Sequence, residues 1–236
     1  MIIPALLLQA TVADAGAQCR RLSLSDPAAA ERLSGQLPLA SSADGLACRG
    51  DALARQARWM EAGRAFDDAA RRAEASRDTR AATYRVQAGN AFLAGGDAAA
   101  AIGALDVALA TGALAGAAKG EAYLDRARAH VAAGQLAPAR ADIDSALPVA
   151  GEDPLAWLLS ATLARRMGDL PRARTDIAAA LRLSPDDAAV RLEEGNVAAL
   201  GGDVDAAQAA WREAMRLAPE APAGRSAAKV LEQFQR

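Results

Sequence analysis

The 236-residue sequence contains few of the side chains that build catalytic and metal sites. Histidine occurs once, at His130, and aromatic residues make up only 3% of the chain. A single histidine excludes a His-based metal cluster, and a Ser-His-Asp triad would have to be built on a helix face. We therefore predict no catalytic residues, no metal site and no cofactor, and we expect a structural or surface role for His130.

The charge balance also excludes a class of partner. The 27 basic residues are interspersed with 29 acidic ones, the net charge is −2, and no long basic run occurs. Nucleic-acid binding needs a concentrated positive surface, so we predict no nucleic-acid partner. Acid pairs such as Asp67-Asp68, Asp186-Asp187 and Glu193-Glu194 are not predicted to act as acid/base dyads, because adjacent helical side chains point about 100° apart. We expect them on solvated faces and at helix starts.

Cysteine occurs only at Cys19 and Cys48, a spacing that fits neither a CxxC redox pair nor a zinc site. In an exported protein the two would form a disulfide, which closes a loop of about 30 residues and contributes about 3 kcal/mol in the chain-entropy model. In a reducing cytosol both would be small buried hydrophobes. Whether the two cysteines form a disulfide therefore depends on the compartment.

Long apolar runs are missing, but a short one lies at the N-terminus. Residues 2–8 are mostly apolar, and A-x-A patterns follow at 13–15 and 15–17. This arrangement predicts a signal peptide over residues 1–17 and a periplasmic protein. The alternatives are an apolar segment packed onto the fold of a cytoplasmic protein and an uncleaved anchor. The run is far shorter than the ~20 residues of a spanning helix, so we expect no stable membrane insertion of the mature chain.

Alanine supplies much of the 52% apolar content, which favours an all-α fold. Two similar segments, ALRLSPDD and AMRLAPEA, place Pro185 and Pro219 34 positions apart. Such a period holds two short helices and their turns. Further residues recur with this period at helical offsets of four and three: Ala139, Ala173, Ala207; Ile143, Ile177, Trp211; Ala146, Ala180, Ala214.

A glycine precedes the first alanine of each set, at Gly134, Gly168 and Gly202, where a turn between two helices needs a left-handed residue. Each unit therefore reads as helix, glycine turn, helix. Farther upstream the same pattern continues, with Gly96 in one turn and Ala57 replacing the glycine in another.

On these residues the chain resembles the tetratricopeptide repeat family of bacterial and other proteins. The segment 154–187 matches best, with Trp157, Ala161, Gly168, Ala173 and Pro185 at the family's positions. The resemblance implies a right-handed superhelical solenoid of about five helix-turn-helix repeats across 43–221. The expected repeats are 43–76, 82–115, 120–153, 154–187 and 188–221.

The flanks of the repeats are assigned separately. Residues 18–42 are predicted to be an irregular leader with one short helix, which starts at Asp26-Pro27 as N-cap and first helical residue. Residues 222–236 show apolar side chains at helical spacing and predict a capping helix, because a stack of repeats needs a polar outer face at its end.

The resemblance also implies a function. In this family the first helices of the repeats line a concave groove that binds proteins or peptides, so we expect a non-catalytic scaffold, monomeric, with a protein or peptide ligand. Asparagines at two groove positions match members that clamp a carboxylate, but Val86 and Leu192 replace the lysines such a clamp needs. Alternatives are a self-assembling structural protein and an enzyme with a site built on the solenoid. The predicted groove residues are Asp51, Asn90, Leu93, Arg128, Leu158, Arg165 and Asn196.

Overall fold

The computed structural model describes residues 12–36 and 38–234, and within those ranges every regular element is helical. The α-helices are α1 (Val12–Ser25), α2 (Pro27–Ser34), α3 (Ala43–Arg55), α4 (Trp59–Ala75), α5 (Ala81–Ala94), α6 (Ala98–Ala110), α7 (Gly116–Ala132), α8 (Leu136–Ala150), α9 (Pro154–Arg166), α10 (Leu170–Leu183), α11 (Ala188–Leu200), α12 (Val204–Leu217) and α13 (Pro222–Phe234). A short 3-10 turn, Leu39–Ser41, precedes α3. The chain divides into two compact units, Met1–Ala115 and Gly116–Arg236.

From α3 to α12 the helices pack as consecutive pairs joined by short turns: α3 with α4, α5 with α6, α7 with α8, α9 with α10 and α11 with α12. Glycines in four of these turns have positive φ, for example +79° at Gly168. Ala57 takes the same left-handed conformation in the first turn, with φ of 57°. The turn therefore keeps its geometry where alanine replaces glycine, although alanine adopts this conformation less readily.

Aspartates begin five of these ten helices, α6 and α9 to α12. Asp187 accepts hydrogen bonds from the backbone N–H groups of Ala189 and Val190, and Asp153 accepts one from Leu155. A carboxylate at this position satisfies donors that have no partner inside the helix. The acidic pair that ends the segment ALRLSPDD is thus a helix start, as the sequence indicates.

In three of the five pairs, a large side chain of the second helix packs on a glycine of the first, sixteen positions earlier. A Cβ atom added to Gly50 would lie 2.7 Å from the Phe66 ring, and one added to Gly195 would overlap the Trp211 ring. Gly89 stands in the same relation to Leu105. The two helices approach closely because the first one carries no side chain at the contact.

The N-terminal segment differs from the expected irregular leader. Within the predicted leader, 18–42, the second half of α1 and all of α2 are helical. Both pack on α3 around their own apolar cluster, which contains Cys19, Ala30 and Cys48. Burial of this cluster stabilises helices whose sequence pattern is weak in isolation.

Two other boundaries bear on the sequence predictions. Helix α7 begins at Gly116, four residues ahead of the predicted repeat start, because Ala117 and Ala118 extend it. Of the predicted signal peptide, residues 1–11 lie outside the described residues, and residues 12–17 belong to α1. Of the predicted capping segment, α13 ends at Phe234 and residues 235–236 lie outside the description.

Candidate functional site

A surface depression in the second unit lies between α7 and α9, the first helices of two successive pairs. A cavity of about 120 Å³ opens there, and a neighbouring one of about 270 Å³ shares Arg128 and Leu159 with it. We call this the α7–α9 surface; its principal residues are Glu121, Leu124, Asp125, Arg128 and Val131 of α7, and Leu155, Leu159, Thr162 and Arg166 of α9. It is concave, partly apolar and charged at its edges, which are the features of a binding site.

The arginines of the α7–α9 surface are solvent-accessible. Arg128 is 52% exposed and its Nη1 lies 3.3 Å from the Asp125 carboxylate. Arg166 is exposed and forms no ion pair with any residue that the structure describes. Leu155 is 47% exposed at the other end of the depression. Guanidinium groups next to exposed leucine side chains suit a polypeptide ligand that presents both apolar and acidic groups.

A second depression lies in the first unit, at the junction of the N-terminal helices with the first helix pair. It has a volume of about 610 Å³ and is lined by Leu24, Pro27, Asp51, Ala54, Arg55, Ala57 and Trp59. Burial raises the pKa of the Asp51 carboxyl above its ordinary value, against the opposing attraction of Arg55 and Arg20. The depression thus combines apolar walls with one incompletely solvated carboxylate.

His130 takes part in a polar cluster inside the second unit. Its Nδ1 lies 2.7 Å from the side-chain oxygen of Gln135, and its Nε2 lies 3.6 Å from the Asp142 carboxylate. Arg126 donates two hydrogen bonds to that buried carboxylate, at 2.9 and 2.6 Å. Both ring nitrogens therefore face partners other than a serine hydroxyl, an arrangement suited to joining α7 to α8.

Two further buried carboxylates join neighbouring helices in the same unit. Ser160 donates to Asp176 at 2.5 Å and accepts a hydrogen bond of 2.9 Å from Arg140. Arg165 donates two hydrogen bonds to Glu193, at 2.6 and 3.1 Å, and so connects α9 to α11. Each carboxylate is compensated by donors on an adjacent helix, as a buried charge requires.

Among residues 12–36 and 38–234, no group of three or more His, Cys, Asp or Glu side chains could hold a metal ion. In the same ranges, no helix is both long enough and apolar enough to cross a membrane.

No protein-family model matches the sequence, and no curated protein matches it significantly. Solved structures do match. PilF of Pseudomonas aeruginosa has a TM-score of 0.71 at 16% identity, over 95% of this chain and 99% of that one. PilW, described as a type IV pilus biogenesis factor, has a TM-score of 0.71 at 17% identity, over 89% and 97% of the two chains. YrrB, described as a TPR protein with an unusual peptide-binding site, has a TM-score of 0.59 at 19% identity, over 80% and 93%.

The chain has a tetratricopeptide-repeat fold. The all-α repeat architecture expected from the sequence is thereby confirmed. In a tetratricopeptide-repeat unit the α7–α9 surface is formed by first helices, as expected for a groove.

The structure places the predicted groove residues of the second unit in different surroundings. Arg128 lines the α7–α9 surface. Leu158 packs, half-buried, against the core cluster around Ala161 and Ile177, whereas Leu159, also half-buried and packed against the cluster around Leu163, lines the surface. A shift of one residue along a helix turns the side chain by about 100°, so the two leucines pack against different clusters and only Leu159 lines this surface.

Arg165 and Asn196 lie together, but in a network internal to the unit. Asn196 donates to Glu193 at 3.1 Å and accepts a hydrogen bond of 3.2 Å from the indole N–H of Trp211. Glu193, expected on a solvated face, is 5% exposed and bonds both Arg165 and Asn196. That expectation was wrong for Glu193, because the residue shares a helix face with the buried Val190 and Val197, three positions before and four after it.

The predicted groove residues of the first unit do not share one depression. Asp51 lines the depression with Leu24 and Trp59. Asn90 is exposed on α5, and Leu93, one turn later on that helix, is half-buried. The sequence pattern did not identify Leu24 or Trp59 as site residues. Leu24 lies outside the repeats and comes close only through the packing of α1 on α3.

Proposed function

We propose that this protein is a non-catalytic scaffold that binds a protein or peptide partner on the α7–α9 surface. The observation that carries the proposal is the presence of exposed Leu155, Arg128 and Arg166 around one concave depression. Exposed apolar surface bordered by charged groups is typical of interaction sites. YrrB, similar in fold, is described as having a peptide-binding site, which supports this assignment.

The test is affinity capture of native partners with a matched pair of double variants. Leu155→Ser with Arg166→Ser removes one exposed leucine and one exposed arginine from the α7–α9 surface. Leu183→Ser with Arg182→Ser removes the same two residue types from exposed positions on α10, outside that surface. We expect partner recovery to fall at least about tenfold in the first variant and to stay unchanged in the second. Equal recovery from both would overturn the assignment of the surface, and circular dichroism checks that both variants fold.

We further propose that the protein is exported to the periplasm. The apolar N-terminal segment and the disulfide between Cys19 and Cys48 support this, since disulfides persist in oxidising compartments. Protein purified from its native host is expected to begin near Gly16 or Gln18 and to contain no free thiol without reductant. An intact Met1 with two titratable thiols would place the protein in the cytosol.

Self-assembly is the alternative to partner binding that can be tested most easily. The scaffold proposal predicts a monomer by light scattering over a wide concentration range. A stable homo-oligomer that disappears in the Leu155→Ser, Arg166→Ser variant would assign the α7–α9 surface to self-association instead.

A further inference from the structure

The depression in the first unit is formed jointly by the N-terminal helices and the first helix pair. It is lined by Asp51, Ala54 and Arg55 of α3, by Leu24 of α1 and Pro27 of α2, and by Ala57 and Trp59 at the turn into α4. Helices α1 and α2 precede the helix pairs, so this depression is not a feature that every pair repeats. We call it the Asp51 pocket.

The Asp51 carboxylate is the unusual group in this pocket. It is half-buried, and none of the described residues donates a hydrogen bond to it or lies within ion-pair distance. Arg55 and Arg20 attract it through space, but loss of water outweighs that attraction. A carboxylate in this state gains from any cation that reaches it, because the cation supplies the stabilisation that water no longer gives.

The walls suit a long side chain with a cationic end. Leu24 is 67% exposed and Trp59 is 37% exposed, although both side chains are large and apolar. Lysine and arginine have aliphatic stems that cover apolar surface while their charged ends remain in polar surroundings. An indole ring beside the stem adds attraction for the cation.

We propose that the Asp51 pocket binds a lysine or arginine side chain of a partner polypeptide, with the charged end at Asp51 and the stem between Leu24 and Trp59. The Asp51 carboxylate and the exposed apolar side chains of Leu24 and Trp59 select this occupant. Arg55, exposed at the rim, can donate to a backbone carbonyl of the same segment and so favours a peptide over a free amine. This site is separate from the α7–α9 surface, and neither proposal depends on the other.

The disulfide holds the pocket together. Cys19 lies on α1 and Cys48 on α3, with their Cα atoms 6.0 Å apart. Leu24 follows Cys19 by about one and a half turns, and Asp51 follows Cys48 by about one turn. The bond therefore holds the part of α1 that carries Leu24 close to the part of α3 that carries Asp51.

The experiment uses the full chain and peptides of the form acetyl-Ala-Leu-X-Leu-Ala-amide, with X as lysine, norleucine or glutamate. Binding is followed by NMR at the indole N–H of Trp59, while the indoles of Trp157 and Trp211 in the second unit serve as internal controls. We expect the lysine peptide to shift the Trp59 signal saturably and to bind about fivefold or more tightly than the norleucine peptide, which has the same stem without the charge. Spermidine, a free polyamine, is expected to bind more weakly than the lysine peptide.

Variants test which residues cause the preference for the lysine peptide over the norleucine peptide. Asp51→Asn, which keeps the shape of the side chain, should abolish the difference between lysine and norleucine peptides, whereas Asp106→Asn on α6 should leave it unchanged. Reduction of the disulfide, or Leu24→Ser if reduction unfolds α1, should weaken lysine-peptide binding. Equal binding of the lysine and norleucine peptides, retained preference in Asp51→Asn, or tighter binding of spermidine would each overturn the proposal.

Discussion

Buried charge is distributed unevenly between the two units. Among the described residues, the buried polar side chains of Met1–Ala115 are Ser23 and Ser34, whereas those of Gly116–Arg236 are Asp142, Ser160, Asp176 and Glu193. The first unit has a disulfide instead, between α1 and α3.

The difference shows that one repeat pattern can be held together in two ways. In both units a large side chain packs on a small residue of the partner helix, as Phe66 does on Gly50 and Trp211 on Gly195. Beyond this shared contact, the first unit has a covalent link between α1 and α3, and its helices are also joined by partly exposed ion pairs such as that of Arg85 on α5 with Asp67 on α4. In the second unit, buried carboxylates bonded to arginine and serine connect neighbouring helices, and such groups are sensitive to loss of a single partner.

Replacing both cysteines should show the difference between the two units most clearly. The double variant Cys19→Ser, Cys48→Ser lacks a link that spans 29 positions, so its unfolded chain gains entropy and stability falls by about 3 kcal/mol. Hydrogen exchange followed by mass spectrometry should show faster exchange in α1 to α4 and unchanged exchange in α7 to α13. Reductant should reproduce the effect in the wild type and have no effect on the variant. Equal acceleration in both units would contradict the assignment of the disulfide to the first unit alone.

Glu193→Gln tests how far the second unit depends on its buried carboxylates. The change leaves the half-buried guanidinium of Arg165 without its anionic partner, and we expect the second unit to lose about 2 kcal/mol. Glu194→Gln is the matched control, because Glu194 is the adjacent residue and makes a partly exposed pair with Arg191 that is worth no more than about 0.5 kcal/mol. Urea unfolding measures both. Similar losses in the two variants would show that burial of Glu193 does not matter.

Gly50→Ala addresses the contact that both units share. The added methyl would lie 2.7 Å from the Phe66 ring, so the helices must separate, at a cost of about 1–2 kcal/mol. Gly103→Ala, in α6 with no atom within 4 Å of its added Cβ, should instead stabilise the protein by about 0.5–1 kcal/mol. Combining Gly50→Ala with Phe66→Leu should recover part of the loss. A Gly50→Ala variant as stable as Gly103→Ala would show that the contact does not constrain the pair.

Asp51→Asn should have the smallest effect, with a distinct pH dependence. Because burial raises the pKa of Asp51 in the folded state above its unfolded value, the ionised carboxylate disfavours folding at neutral pH. Asparagine should therefore stabilise slightly at pH 7, and this advantage should decline as pH falls through the raised pKa and the wild-type carboxyl takes up a proton. Urea unfolding at several pH values between 7 and 3 checks the trend. An advantage that grows on acidification would show that the carboxylate is well compensated.

The repeats could be predicted because their signals are local and periodic. Turn glycines such as Gly168 and the small residues opposite Phe66, Leu105 and Trp211 recur with the repeat, and helix starts are marked by aspartate. Even the exception at Ala57 keeps its place in this pattern.

The sites were predicted less well, because they depend on rotation and on long-range packing. Leu158 and Leu159 are adjacent and chemically identical, and only the rotation of α9 decides which one faces the depression. The burial of Glu193 was indicated by its spacing from Val190 and Val197, but a carboxylate on that face is rare enough to be overlooked. The contribution of Leu24 depends on how α1 packs, which no repeat pattern encodes.

Partner binding on the α7–α9 surface can be tested in living cells by site-specific photo-crosslinking. A benzophenone side chain replaces Leu155 on that surface in one strain and Leu183 on α10 in another, since the two leucines have similar exposure, 47% and 40%. The scaffold proposal predicts a discrete adduct with the same partner protein at position 155 and none at 183. Adducts of equal yield at both positions, or none at position 155 while the protein is folded and expressed, would contradict it.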